Sequence, residues 1–569
     1  MRNRSFLAAG ATLFAISACT PASEELSQAA ADRVFLNGAI YTVDDDRTWA
    51  KAVAIKGGRI VYVGDNEGAG LRISASTDVV DLAGQMMLPG FHDSHIHIMI
   101  GVMAGLECSV LRLETLADVA ARLKECTLLE GVGEEGWILG GGWGEWLWPE
   151  ANPQKGLLDV LFPDQPVYLE SSFGHAAWVN SKAMEIVGLN SDTPNPPAGV
   201  IEHNPETGEP SGTVRDAAML LFKDKLPPMT LEQRTDRVRA GMALAHSVGI
   251  TAVIEPGLDG DLIEPIVNLA DTGELNMRVL ASLSPINWQP GVFDEGVFEF
   301  LEGREQWRRD NLDVDSVKIY MDGVIEYGTS PLLEPYTDAS YGSGEFFYTQ
   351  DEVDEYFRRL DAMGLQVHVH AIGDAAIRRA LNGFEAMRRA NGMSDNRHQI
   401  VHLQLIHEDD RPRFDELNIG AVFQSLWAYP DPAALELDVP MLGEERTWQM
   451  YPIASVEEAG GRIVGGSDYF VTDLNPLHAI EVAVTRQDPY TNDGLILNKS
   501  ESVDLVTMID AYTINGAYQM GLDDEQGSIE VGKRADLVVL DRNLFELPAS
   551  EINEANVTMT IFAGRTVYE

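Results

Sequence analysis

Between residues 89 and 502, short apolar runs rich in β-branched residues, among them VDSVKIYMDG, LQVHVHAIGD, QIVHLQLIH and GRIVGGSDYF, alternate with stretches such as TQDEVDEYFRRLDAMG and DAAIRRALNGFEAMRRANG. The runs have the length and residue types of buried strands. The stretches between them place apolar residues three and four positions apart, as one face of a helix does. Strand then helix, repeated many times, requires parallel strands covered on their outer face. The architecture this predicts is an α/β fold, a (β/α)8 TIM-like barrel. A segment from about 143 to 225, rich in Pro, Gly, Trp and Asn, breaks the alternation and reads as an insertion that shapes a pocket.

The two chain ends follow a different pattern. Residues 32–88 contain VFLNGAIYTVD and AVAIKGGRIVYVGD, and residues 503–569 contain GSIEVGKRADLVVLDRN and VTMTIFAGRTVYE, each a strand, glycine turn, strand sequence. They predict one small β-domain assembled from both ends, with the barrel inserted between.

The first residues read as an export signal. Arg2 and Arg4 precede an apolar run from Phe6 to Ile16 that is too short to span a bilayer. Its end, Ile16-Ser17-Ala18-Cys19, resembles a lipobox, so residues 1–18 are read as a signal peptide and Cys19 as the lipid-modified first residue of the mature chain. With Thr20 next, the location expected is the periplasmic face of the outer membrane, or the soluble periplasm if Cys19 is unmodified. Cys108 and Cys126 are read as separate buried thiols, although an oxidising compartment would let them pair. Eighty-nine acidic residues against 41 basic ones give a formal charge of −48, which repels phosphate backbones and argues against a nucleic-acid partner.

Histidine is scarce, twelve in the chain, yet FHDSHIHIMI holds three of them at 91–100. His95 and His97, two apart, share one strand face. On a barrel's interior such a pair either holds a divalent metal or forms hydrogen-bonded core. His92 faces the other way and is read as supporting or structural. Similar polar residues recur at the ends of later apolar runs: Lys318, then His368 and His370, then His402, then Asp468. In a barrel these positions converge on one mouth.

The phrases MLPGFHDSHIH, GHAAWVNSKA, VKIYMDGVIEYGTSPLLEPY, VHVHAIGDAAI, RHQIVHLQLIHEDD and GGSDYFV resemble those of the amidohydrolase superfamily, in its amidohydrolase-3 branch. The resemblance implies a metal centre at the barrel mouth and a companion β-sandwich made by the chain ends. It implies His95, His97, His370, His402 and Asp468 as metal ligands, with Lys318 carboxylated and bridging two divalent ions, zinc by preference. Carboxylation would turn a buried cation, costly in that setting, into an oxygen ligand. One departure is Val401 before His402, where relatives commonly carry Glu. The resemblance is also compatible with a homodimer.

The chemistry implied is hydrolysis by a metal-activated water, with Asp468 as general base and then general acid and His175, in SSFGHAAWVN, as oxyanion stabiliser. Tyr320 and Asp322 share the strand face of Lys318 and are expected at the substrate. Trp143, first of three tryptophans in GGGWGEWLWPE, is expected as an aromatic wall. With no dominant arginine cluster, the substrate expected is a small neutral amide, formamide or cyclic amide. The competing readings are an N-acyl amino acid, dipeptide or ester hydrolase, which would need a cationic group fixing a carboxylate and would be supported by Arg215 or Arg278 beside the metals, and a lipid-anchored binding protein without catalysis.

Overall fold

Eight strands, each parallel to the next and hydrogen-bonded in chain order, form one sheet: Phe91–Asp93, Ile250–Leu258, Arg278–Leu283, Leu312–Tyr320, Gln366–Ala371, Gln399–His402, Gly420–Phe423 and Ile463–Gly465. The computed structural model describes residues 30–98, 108–111, 113, 115–126, 136–197, 199–284, 295–491 and 494–569. The first and eighth strands are joined past their ends. Ser94 N donates to Gly465 O at 3.0 Å, Asp468 N to His95 O at 2.8 Å and His97 N to Tyr469 O at 2.7 Å. The sheet therefore closes as the barrel the alternation predicts, and its C-terminal ends share one mouth.

Helices cover the outside where the amphipathic stretches predict them. Gln350–Ala362 begins at Thr349, which makes a reciprocal capping box with Glu352, and buries Val353, Phe357 and Leu360. Asp374–Asn391 lies against it, with the Phe357 and Phe384 rings 4.6 Å apart. Truncating either buried ring to alanine would cost about 3–5 kcal/mol.

Between the first and second barrel strands the chain makes a separate five-stranded sheet from Ile138–Trp143, Val167–Ser171, Ala176–Val179, Gly199–His203 and Pro210–Asp216. Its first strand runs so close to Cys108 that a Cβ on Gly140 would lie 2.1 Å from the Cys108 carbonyl oxygen. Here the reading of two separate thiols is corrected: Cys108 and Cys126 form a disulfide. Helix Leu116–Cys126 folds back so that its last residue comes within 5.5 Å, Cα to Cα, of Cys108, a proximity that no local pattern encodes.

The chain ends build two further sheets. One pairs Arg33–Leu36, Ala52–Lys56, Arg59–Gly64 and Asp78–Asp81. The other sets Ala39–Tyr41, Trp49–Ala50 and Met86–Pro89 beside Leu537–Leu540, Val557–Phe562 and Arg565–Tyr568. Phe35, Ile55, Ile60, Met87, Leu537 and Ile561 pack in one buried cluster, so neither chain end has a complete core without the other. Residues 1–18 and Cys19 lie outside the described residues. Among the described residues no helix is long and apolar enough to cross a membrane.

Candidate metal centre and active site

The barrel register sets the site. Lys318 lies beside His368, Tyr320 beside His370 and Ala371 beside His402 on adjoining strands. At the seam, the buried Asp93 carboxylate accepts from His95 N at 3.1 Å and from Ser467 N at 3.0 Å, fixing the first-strand exit to the loop that carries Asp468. Burial pushes the Asp93 carboxyl up to about 7 despite those bonds. His402 and Asp468 both hold left-handed backbone, φ 80° and 52°, a conformation that costs about 1–3 kcal/mol per residue and concentrates at functional sites.

The side chains converge tightly. Asp468 Oδ1 lies 3.2 Å from His97 Nε2 and 3.5 Å from His95 Nε2, and Lys318 Nζ lies 3.4 Å from His95 Nε2. The His370 and His402 rings are 4.4 Å apart. Ligand atoms of His95, His402 and Asp468 all fall within 4.8 Å of one another.

Burial first, and neighbouring positive charge second, hold His95, His370 and His402 well below the ordinary imidazole range, so these rings are neutral and offer lone pairs. Burial likewise brings the Lys318 amine down to about 7. For Asp468, burial alone would raise the carboxyl, but His97, His402 and Lys318 outweigh it and hold it below the usual carboxylate range.

Whether these residues suit a divalent cation can be tested on the atoms themselves. His97 Nδ1 is buried without a hydrogen-bond partner, and Asp468 Oδ1 has only the ring nitrogens of His97 and His95 beside it. Neutral imidazoles and a carboxylate pointing acceptors at one another, in a space with little water, make a poor hydrogen-bonded core and a good nitrogen and oxygen ligand set. The donor set fits a divalent metal.

The outer nitrogens of these rings are held. His370 Nε2 donates to Gly323 O at 3.1 Å, and His402 Nδ1, 3.7 Å from Asp468 Oδ2, donates to Gln424 Oε1 at 3.0 Å. His95 Nδ1 meets His368 Nε2 at 2.7 Å, and His368 Nδ1 meets the Gln399 amide at 2.9 Å. Gln399 Oε1 lacks a partner as oriented, while its Nε2 also donates to Ser94 O at 3.5 Å. With the amide turned, at the cost of that long bond, its oxygen would accept from His368 Nδ1, His368 Nε2 would accept from His95 Nδ1, and His95 Nε2 would be left bare toward the cluster.

A cavity of about 590 Å³, counting the space at its mouth, opens onto this cluster. His175, His370, His402 and Asp468 line it on the polar side, and Phe173, Val324, Ile372, Trp427 and Val471 supply apolar wall. Glu326, Gln404, Asp431, Asp438 and Tyr451 also line it.

His175 reaches the cavity from the hairpin between the second and third strands of the inserted sheet. Its Nδ1 is 2.8 Å from Asp216 Oδ1 and its ring 5.4 Å from that of His370. Tyr320, expected at the substrate, does not line the cavity: it stands behind His370, ring to ring at 5.5 Å, with Lys318 Nζ 4.9 Å from the tyrosine ring centre. Two further expectations are corrected. Asp322 is not at the cavity wall: fully buried, it accepts from Ile372 N and Gly373 N and sits 3.4 Å from His370 Nε2, so it shapes the turn that aims His370. Trp143 is also core. Its indole N–H donates to Leu169 O at 2.9 Å and its ring packs edge-on against Trp148. The aromatic wall is made instead by Phe173, Trp427 and Tyr451.

Arg215 is held by Glu202 at 2.6 Å, and Arg278 is 3.3 Å from Asp536. Neither lines the cavity. His92 bonds Gly90 O and Gln526, away from the cluster, in the structural role expected of it. Sequence reasoning missed Gln399 and Gln424, single amides on strands with no metal-ligand spacing. It also missed Glu326, Asp431 and Asp438. The signal available for the last two was the long irregular stretch FQSLWAYPDPAALELDVP after the seventh strand, since such loops at a barrel's C-terminal face carry function.

A closed parallel barrel with neutral imidazoles, a lysine and a carboxylate converging at its C-terminal mouth defines a metal-dependent hydrolase. The model of the amidohydrolase family matches residues 78–568, and the chain belongs to that family. It is 30% identical to protein LONG AFTER FAR-RED 3 of Arabidopsis thaliana, over 95% of this chain and 92% of that protein. It is 28% identical to N-substituted formamide deformylase of Arthrobacter pascens, over 95% of this chain and 98% of that one. Among solved structures, a metal-dependent hydrolase of Pyrococcus furiosus superposes with a TM-score of 0.67 at 27% identity, covering 90% of this chain and 99% of that one.

Proposed function

We propose that this protein hydrolyses a carbon–nitrogen bond other than a peptide bond in a small amide, N-substituted formamide or cyclic amide. The observation that carries this reading is the placement of Asp468, which belongs to the ligand cluster and to the cavity wall at once. His95, His97, His370, His402 and Asp468 would hold the divalent metal, with Lys318, as its carboxylated form, between two ions. Bound there, the metal supplies an acidified water and polarises the scissile carbonyl.

The chain's own residues then have defined work. Asp468, ionised in the free protein, accepts the proton of the attacking water and delivers it to the departing nitrogen. His175, held through Nδ1 by Asp216 and standing on the cavity wall, is placed to stabilise the oxygen that gains charge. Phe173, Trp427 and Val471 exclude water around the acyl and amine groups. The similarity to a formamide deformylase supports the bond type. For an N-acyl amino acid, no lysine or arginine among the described residues lines the cavity to receive its carboxylate, and Arg215 and Arg278 are held by Glu202 and Asp536.

The test is a turnover screen of metal-loaded protein against N-substituted formamides, linear amides and cyclic amides, with Asp468→Asn as the control. The expected result is hydrolysis of at least one class, lowered by about 10²–10⁴-fold in kcat for Asp468→Asn while metal stays bound. Hydrolysis of esters alone, or equal rates in the variant, would overturn the reading.

A further inference from the structure

The cavity contains a group of acids that the hydrolytic reading does not use. Asp438 closes a π-helical turn, Ala434–Asp438, a rare geometry that recurs at functional sites. It is 2% exposed, and its Oδ2 accepts from Gln404 Nε2 at 3.1 Å. Its Oδ1 is buried with no hydrogen-bond partner. Glu326, on the turn Ile325–Tyr327, and Asp431, whose Oδ1 accepts from Ala434 N at 2.7 Å, line the same cavity. Among the described residues no lysine or arginine lines it.

A buried carboxylate oxygen without a partner is expensive, and its cost is met either by a proton or by a cation. Burial first, and then the charges of Glu326 and Asp431, push the Asp438 carboxyl well above its usual range; its side chain also hydrogen-bonds that of Glu326, so the pair shares a proton and no protein cation stands opposite it on the cavity wall among the described residues. Phe173, Trp427 and Tyr451 add aromatic faces to the same wall, and these attract cations and repel anions.

We propose that Asp438, with Glu326 and Asp431, forms a subsite for a cationic group of the substrate, an ammonium or amidinium attached to the body that carries the amide. The inference rests on the reading of this cavity as the substrate site and narrows its substrate class. An amidinium fork matches two carboxylate oxygens as a guanidinium does, and the aromatic wall takes the apolar part between the two ends.

The test is isothermal titration of the metal-loaded protein with benzamidine and with its neutral isostere benzamide. The expected result is at least about tenfold tighter binding of benzamidine, which is about 1.4 kcal/mol. In Asp438→Asn, benzamidine should weaken about tenfold while benzamide changes by less than about twofold. Asp431→Asn, at a less buried position, serves if the first variant does not fold.

Equal affinity of the two probes for the wild type, or binding of neither at about 10 mM, would overturn the proposal. So would a benzamidine preference that both variants retain; the acids would then be a structural group sharing protons. Turnover is not read. A benzamidine preference without any amide hydrolysis would sink the hydrolytic reading and leave the subsite, and hydrolysis without the preference would do the reverse.

Discussion

Lys318 is an amine buried against a histidine nitrogen in a site otherwise made of acceptors, and what it becomes decides how many ions the site holds. Carbon dioxide adds to the neutral amine only. With the amine lowered to about 7 by burial, the reactive form predominates above that value and is lost below it. Reconstitution of metal-free protein with zinc and bicarbonate should therefore speed up from about pH 6 to about pH 8 and then level off. Bound metal, by elemental analysis, should fall from two equivalents to one or none in Lys318→Ala; a single equivalent in the wild type would remove the bridging role. The chain through His368 and Gln399 makes a separate prediction. His368→Phe should weaken metal binding by about 10–100-fold in a chelator competition, because the His95 tautomer loses its support, whereas an unchanged affinity would make His368 simple packing. The residues of the cluster were legible in sequence because a His, Lys or Asp at the end of an apolar run is anomalous by itself. Gln399 and Gln424 were not, since one amide on a strand satisfies many environments. Trp143 misled for a related reason: composition shows that an aromatic is present but not which way its ring turns, and the Leu169 carbonyl settled that.

Strand and helix positions followed from local pattern, because amphipathic spacing and a capping box such as that of Thr349 and Glu352 act within a few residues. The inserted sheet was legible only as a break in the pattern. Its strands pair across long separations, with Ala176 opposite Arg215, and a single short strand does not announce its partner. The disulfide belongs to the same class of long-range fact. It closes a loop with a sequence separation of 18, which in the chain-entropy picture is worth about 3 kcal/mol to the segment it ties down. Because a protein of several sheets need not unfold in one step, the effect is best read locally. In a Cys108→Ser, Cys126→Ser double variant, amides of helix Leu116–Cys126 should exchange on the order of 100-fold faster than in the oxidised protein. Unchanged protection would show that packing of Val119 and Leu123, and not the bridge, holds this helix.

The molecule as a whole carries far more negative charge than its ion pairs can absorb. Even if each of the 41 basic residues met one acid, 48 of the 89 acidic residues would remain without a basic partner. Exposed pairs are each worth about 0–1 kcal/mol and weaken with salt, which predicts destabilisation on adding salt. Repulsion among the excess carboxylates weakens too, and it acts over the whole surface, with a screening length that shrinks from about 30 Å at 0.01 M to about 3 Å at 1 M. The excess exceeds the number of pairs that can form, so the second effect wins. The melting temperature of the metal-loaded protein should rise by several degrees as sodium chloride goes from about 0.01 M to about 0.5 M, with most of the rise in the first half of that span on a logarithmic scale. The same series on metal-free protein separates surface from site: Asp468 is buried and its partners are fixed, so its contribution hardly responds to bulk ions and the two curves should run parallel. A melting temperature that falls with salt would mean that organised ion pairs, such as Arg308 with Glu305 and Asp315, outweigh the net charge. Curves that converge would place part of the salt response at the metal site itself.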